Sequence, residues 1–264
     1  MGYIGAGQLG GPMVDRLLAA AHLPVHLFAR RPEVAERFAA KGAVIEPTLA
    51  ALAARCDVIL VCLFSDAQLV EVALDPDGIL AAMRPGTVLA SHTTAGVNTI
   101  ERMAQVAATR GAEVVDAPVS GTATDIAAGR LTVLLGGSEH AVQRCRVPMA
   151  EYASALVPVG KVGDATKIKL LNNALFASQM RLALDVMRLA GELGIDPGLA
   201  TKALRHCSGD SYAIGMLDKL GTEVIAGSEP FLVKDVGVVR EVAAELGVDL
   251  GLLGQTAGDG RLTG

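Results

Sequence analysis

The sequence predicts an α/β fold. A doubly wound parallel sheet spans residues 1–161, an all-helical domain spans residues 162–264, and a long helix joins them. Three observations carry this. Short apolar runs alternate with helical patterns as far as Gly160, the order of a parallel sheet covered on both faces. Val58 to Leu63 is continuously apolar, as a central parallel strand is. From Thr166 to about Leu193 no proline occurs, and the single glycine, Gly191, comes only near the end.

The elements follow in order. Tyr3-Ile4 reads as a strand stub, followed by a glycine-rich turn and a helix through about Ala21. Val25 to Ala29 is the next strand, and Pro32 to Lys41 a helix with Pro at its first position. Val44-Ile45 is a brief strand and Leu49 to Arg55 a short helix. Further strands are expected at Val88–Ala90, Glu113–Val115, Leu131–Leu135 and Leu156–Val159, with helices between them such as Thr99 to Arg110. The helix from Thr166 would span roughly 42 Å at about 1.5 Å per residue. Gly194 ends it, and Asp196-Pro197 restarts a helix. Because the long helix is apolar nearly all round, it should be buried on several sides, which favours a homodimer or higher homo-oligomer or a tightly docked second domain.

Composition narrows the class. Hydrophobic residues make up 51% of the 264, enough for a sizeable core, and aromatics only 3%, so that core is built from Ala, Val, Leu and Ile. Net charge is −5 with no basic run, which argues against a nucleic-acid partner. Cys56, Cys62, Cys145 and Cys207 are scattered and suit free thiols in a reducing compartment. His22, His26, His92, His140 and His206 lack metal-ligand spacing, so no metal is expected. Arg181, Asp185 and Arg188 interrupt the longest apolar stretch, so no membrane partner is expected. The strand at the very start leaves no room for a signal peptide, and a cytoplasmic protein is expected.

Within the long helix, Gly163 to Asn173 places one lysine and two asparagines in an apolar setting. Positions three and four residues apart share a helix face. Lys169, Asn172 and Asn173 therefore form one polar spot, while Lys167 points roughly opposite. An ammonium flanked by two amides suits proton transfer on a polar substrate. A lysine snorkelling from an amphipathic helix is the plainer reading of Lys169 alone.

Gly5-Ala6-Gly7-Gln8-Leu9-Gly10 matches G-x-G-x-x-G in the required context, after a strand stub and opening a helix. This is the Rossmann-type dinucleotide loop, with phosphates expected at the helix N-terminus. Where an NAD site usually carries an acid after the second strand, this chain has Ala29-Arg30-Arg31-Pro32. Arginine pairs with a 2′-phosphate, so NADP is the expected cofactor, with NAD as the alternative. A solvated arginine pair is the competing reading, stronger for Arg31 than for Arg30.

Four motifs now align in order: Gly10-Gly11-Pro12-Met13, Asp116-Ala117-Pro118-Val119-Ser120-Gly121, the Gly163 to Asn173 stretch, and Lys234-Asp235. With Thr93-Thr94 and Gly136-Gly137, the chain resembles the 3-hydroxyisobutyrate dehydrogenase family, β-hydroxyacid dehydrogenases related to 6-phosphogluconate dehydrogenase. The resemblance implies reversible hydride transfer between a nicotinamide and a small carboxylate-bearing hydroxy acid. Lys169 would be the general acid/base, and Asn173 with Asn172 would orient the substrate. Ser120, Gly121 and Thr122 would hold its carboxylate. The glycine loop, Leu63 and Thr94 would contact the cofactor, and Lys234 would reach over it from the helical domain. Asp235 is expected to cap a helix or pair locally, and His92 to be a loop histidine near the cofactor without a part in proton transfer.

Two positions depart from the family pattern. Thr122 stands where a second glycine is common, and Phe231 lies closer to Lys234 than usual. Thr256 to Gly260 resembles the loop before the family's last helix, which implies a shortened helical domain. An imine reductase of the same architecture and a non-catalytic cofactor-binding module are the alternatives; Lys169 argues against both.

Overall fold

The computed structural model describes residues 1–20 and 24–262. It separates into two compact units, Met1–Lys169 and Leu170–Gly264. The first unit runs β1 (Gly2–Ile4), α1 (Gly10–Ala20), β2 (His26–Phe28), α2 (Pro32–Ala39), β3 (Val44–Ile45), α3 (Leu49–Arg55), β4 (Val58–Val61), α4 (Asp66–Leu74), α5 (Ile79–Ala82) and β5 (Val88–Ser91). It continues with α6 (Val97–Thr109), β6 (Glu113–Asp116), β7 (Val119–Ser120), α7 (Ala123–Ala127), β8 (Leu131–Gly136), α8 (Glu139–Met149), β9 (Ala153–Gly160) and the start of α9 (Asp164–Glu192). The second unit holds the remainder of α9, then α10 (Pro197–Leu204), α11 (Tyr212–Leu220), α12 (Glu223–Leu246) and α13 (Gly251–Ala257). The expected end of the first helix at Ala21 lies outside the described residues.

Strand order in the sheet is β3-β2-β1-β4-β5-β6-β8-β7, with β9 on β8. The expected parallel pairing runs from β3 through β6. β8 then returns antiparallel to β6 and β7 and pairs parallel with β9. The reason lies in how the connection is used: it forms β7, which pairs antiparallel with β8, and the five-residue α7, and no longer helix that would carry the chain back for a parallel return. The chain reverses direction across the sheet between β1 and β4, which opens a crevice at their carboxyl ends.

Strand alternation divides the core between the two faces. Tyr3, Leu27, Leu60, Val88, Ala90 and Val115 belong to one buried cluster with α1 and α8. Ile4, Ile59, Val61, Leu89 and Val114 belong to the other, with α3, α4 and α6. In the second unit Ala177, Met180 and Ala183 of α9 pack with Ile214 and Leu217 of α11 and Leu232 and Val236 of α12. Asp196 caps α10 by accepting from the Leu199 N–H at 2.8 Å, as its position before Pro197 predicts. Among the described residues, no helix is long and apolar enough to cross a membrane, and no cluster of His, Cys, Asp or Glu could hold a metal ion.

Candidate active site

The glycine loop folds as its spacing requires. Gly5 has φ 92°, and a Cβ there would lie 2.1 Å from the Cys62 carbonyl oxygen; one on Gly10 would lie 2.0 Å from the Gly5 carbonyl oxygen. Both positions therefore exclude any side chain, because strand and helix backbones touch. Gly7 differs: nothing lies within 4 Å of where its Cβ would be, and the residue is exposed. Its backbone faces open space at the amino end of α1, where N–H groups and the helix dipole favour an anion.

Beside this loop is a cavity of about 340 Å³ lined by Gly5, Gly7, Arg30, Arg31, Leu63 and Phe64, among others. Two predicted cofactor contacts, Arg30 and Arg31, thus reach one cavity with the loop and Leu63. Arg30 Nη1 donates to both carboxylate oxygens of Glu71, at 3.0 and 3.1 Å, and both side chains are half-exposed. Such a solvated pair contributes little to stability. Arg31 lies 3.8 Å from Glu33, a looser contact. The Leu63 N–H donates to Thr93 Oγ1 at 2.9 Å, which ties the end of β4 to the residue before Thr94. An anion-binding helix end, an arginine pair and an open cradle at Gly7 fit a phosphorylated dinucleotide.

The segment after β6 carries the predicted carboxylate site. Ser120 ends β7, paired with Thr132 of β8. Gly121 follows with φ 135°. Thr122 caps α7: its Oγ1 accepts from the Asp125 N–H at 3.3 Å and donates to Asp125 Oδ2 at 2.7 Å, while its own N–H donates to Asp125 Oδ2 at 3.0 Å. The Thr122 amide and hydroxyl are thus committed to Asp125 here. Those hydrogen bonds hold the Asp125 carboxyl below its usual range.

Asp116, at the end of β6, is fully buried. Its Oδ2 accepts from the Gly163 N–H at 3.1 Å and the Thr166 N–H at 2.7 Å, and its Oδ1 from Thr166 Oγ1 at 2.7 Å. Burial raises its pKa above the ordinary carboxylate value, opposed by these three bonds. Lys169 follows Thr166 by three residues on α9 and is half-buried. Lys167 points away and lies 3.6 Å from Asp164.

Within the second unit, Asn172 Nδ2 donates to Asn173 Oδ1 at 3.1 Å. Asn173 is buried, and its Nδ2 donates to Asp235 Oδ2 at 2.6 Å. Lys234 Nζ lies 2.9 Å from Asp235 Oδ1. Asp235 therefore pairs locally, one of its two expected roles, and does not cap a helix: it sits within α12 and also accepts from the Asn173 amide of another helix.

His92 lies in the loop just after β5, as expected, but is buried there, with Nδ1 2.6 Å from the Ala117 carbonyl oxygen and Nε2 2.8 Å from the Tyr152 hydroxyl. Burial lowers its pKa from 6.5 to about 4, so the neutral ring donates from Nδ1 and accepts at Nε2. Sequence reasoning missed Tyr152 and the anchoring roles of Asp116 and Thr166, since no local pattern links residues so far apart.

Known proteins resemble this chain in sequence and in fold. Residues 1–160 match the family described as the NAD binding domain of 6-phosphogluconate dehydrogenase, and residues 163–258 the one described as NAD-binding of NADP-dependent 3-hydroxyisobutyrate dehydrogenase. An uncharacterised oxidoreductase of Mycobacterium tuberculosis is 34% identical over 81% of this chain and 72% of its own length. The L-threonate dehydrogenase of Cupriavidus necator is 30% identical over 92% of this chain and 83% of its own. Among solved structures, the 3-hydroxyisobutyrate dehydrogenase of Mycobacterium tuberculosis with L-serine superposes with a TM-score of 0.86 at 24% identity, covering 97% of this chain and 90% of that one. The chain belongs to the NADP-dependent 3-hydroxyisobutyrate dehydrogenase family, NAD(P)-dependent oxidoreductases acting on hydroxy acids and related to 6-phosphogluconate dehydrogenase.

Proposed function

We propose that this protein interconverts a small β-hydroxy acid and the corresponding semialdehyde, with Lys169 as the general acid/base. The observation that carries this reading is the arrangement of α9. Lys169, Asn172 and Asn173 occupy one helical face, and the asparagine amides are oriented by hydrogen bonds that run through Asp235. Bound along the glycine loop and its cavity, NADP(H) supplies or accepts the hydride. Arg30 and Arg31 would meet its 2′-phosphate, with Leu63, Thr94 and Lys234 as further contacts.

The chain's own residues handle the substrate. Ser120 and the Gly121–Thr122 backbone would receive the carboxylate; release of the Thr122 amide from Asp125 would accompany that. Asn173 and Asn172 would orient the hydroxyl or carbonyl oxygen by amide hydrogen bonds. Lys169 would take the hydroxyl proton in oxidation and return it to the carbonyl oxygen in reduction. One positioned acid/base suffices, because the proton leaves oxygen as the hydride leaves carbon. We place the enzyme in the cytoplasm as a homo-oligomer. Supporting the assembly, Leu171, Leu175, Leu182 and Leu189 of α9 are 55, 51, 54 and 46% exposed and recur at four- and seven-residue spacing.

The test is Lys169→Ala, assayed with a panel of short hydroxy acids and semialdehydes and both cofactors. Turnover is expected to fall at least about a hundredfold while NADPH affinity stays within about threefold. Undiminished turnover in the variant would falsify the lysine's role, and a clear preference for NADH would remove the proposed 2′-phosphate site.

A further inference from the structure

We infer that Asp116 is the positioning residue for Lys169, setting the place of the acid/base relative to the carboxylate loop. The inference rests on the reading of Lys169 above and adds a residue to it.

The amino end of α9 has to be capped. The first turn of any helix leaves N–H groups without internal partners, and a side chain at the preceding residue normally takes them. Here that residue is Gly163, which has φ 92°, and an added Cβ would lie 3.1 Å from Glu101 Oε1. The helix therefore cannot carry its own capping side chain at that position. Asp164, the first helical residue, is turned back and accepts from the Lys161 N–H at 3.1 Å. Asp116 supplies what is missing. It reaches from the end of β6, across 47 and 50 residues of sequence, and takes the N–H groups of Gly163 and Thr166 on one oxygen. The Thr166 hydroxyl on its other oxygen fixes rotation about the helix axis as well as position along it.

Two consequences follow from residue spacing. Lys169 stands three residues beyond Thr166, about 4.5 Å along the axis. Ser120 stands four residues beyond Asp116 and is held in register by β8. A single buried carboxylate thus locks both the acid/base and the proposed carboxylate site to the end of β6. An ordinary capping role would need only the backbone N–H groups. The bond to Thr166 Oγ1, which removes the freedom to rotate, is the feature that points to positioning.

Variants of the full chain separate the two roles. Asp116→Ala removes all three acceptor contacts. Asp116→Asn keeps them, with the amide oxygen on the two N–H groups and the amide nitrogen donating to Thr166 Oγ1, which then accepts. Thr166→Val removes only the rotational contact, and Thr166→Ser restores it. Each is measured for NADPH affinity, kcat, KM and the solvent deuterium isotope effect on kcat, with kcat normalised to the fraction that binds NADPH.

For Asp116→Ala we expect kcat to fall about ten- to a hundredfold with NADPH affinity within about twofold, as for a displacement of about 1 Å at the reacting group. The solvent isotope effect should rise, because transfer through a misplaced lysine becomes slower. Asp116→Asn and Thr166→Ser should keep kcat within about threefold, and Thr166→Val should lose about three- to tenfold. If Asp116→Ala does not fold, the Thr166 pair decides. The inference is overturned if normalised kcat and the isotope effect are unchanged in Thr166→Val, or if Asp116→Asn is as impaired as Asp116→Ala. Activity in Lys169→Ala is a different result: it would remove the acid/base reading itself, whatever the Asp116 series shows.

Discussion

His92 makes a prediction that can be worked from the structure. Its ring is fully buried between the Ala117 carbonyl and the Tyr152 hydroxyl, and meets the Tyr152 ring edge-on at 5.8 Å. The neutral ring satisfies both neighbours. A second proton would place a charge where no water reaches, and burial lowers the folded-state pKa from 6.5 to about 4. The sign follows from linkage. Between those two values the unfolded chain binds more protons than the folded one, so stability falls as pH falls. Above about pH 7.5 the group adds no pH dependence. At pH 5 the loss is about 2 kcal/mol, approaching about 3.5 kcal/mol well below pH 4, at about 1.4 kcal/mol per pKa unit.

Urea denaturation of wild type and His92→Gln from pH 7.5 to 4.5 reads this directly. Other acids titrate in both proteins, so the difference between the curves isolates His92. A constant offset reflects repacking of the two buried partners, worth about 1–3 kcal/mol for each left unsatisfied. The pH-dependent part should narrow by about 2 kcal/mol between pH 7 and pH 5 as the wild type loses its advantage. Curves that stay parallel over that range would refute the account of a histidine held neutral by burial.

Two further outcomes are expected. Gly7→Ala should leave the melting temperature within about 2 °C of wild type, since its Cβ meets nothing, yet weaken NADPH about tenfold or more; Gly10→Ala, aimed at a backbone oxygen, should lower the melting temperature by several degrees. Thermal melts and NADPH titrations check both, and equal behaviour of the two would contradict the assigned roles. Leu182→Glu with Leu189→Glu should shift the protein to monomer by light scattering, whereas a wild type already monomeric at micromolar concentration would count against the assembly.

Much of this architecture was legible because its signals are local. The glycine loop is written in Gly5 and Gly10, where backbone leaves no room for a side chain, and α9 in a long stretch without proline. The Thr122–Asp125 cap also has a local signature, a threonine with an acid three residues on, although it was read as part of a ligand loop. The return of β8 was not legible. β7 is only two residues long, follows Pro118, and exists because β8 lies beside it. The local pair of Asp235 with Lys234 is legible from sequence, but its second partner, Asn173, is 62 residues away. The burial of His92 in its loop was not legible for the same reason: its partner Tyr152 lies 60 residues on. Local chemistry names the groups that act, and distant contacts decide what holds them.

The contacts along residues 116–120 differ in kind from those around the cavity. Asp116 is bonded to α9. The Ala117 N–H donates to the Ser91 carbonyl at 2.8 Å, and its carbonyl meets His92. The Pro118 carbonyl accepts from the Leu134 N–H at 3.0 Å, and Val119 and Ser120 pair with β8. Every residue of the stretch is thereby tied to a different neighbour. By contrast, Phe64 at the cavity is 54% exposed, and the Arg30–Glu71 pair is solvated. A rigid frame costs nothing to order when a substrate arrives, while half-exposed groups can rearrange around a large cofactor. The segment that anchors the start of α9 is thus the more densely tethered of the two.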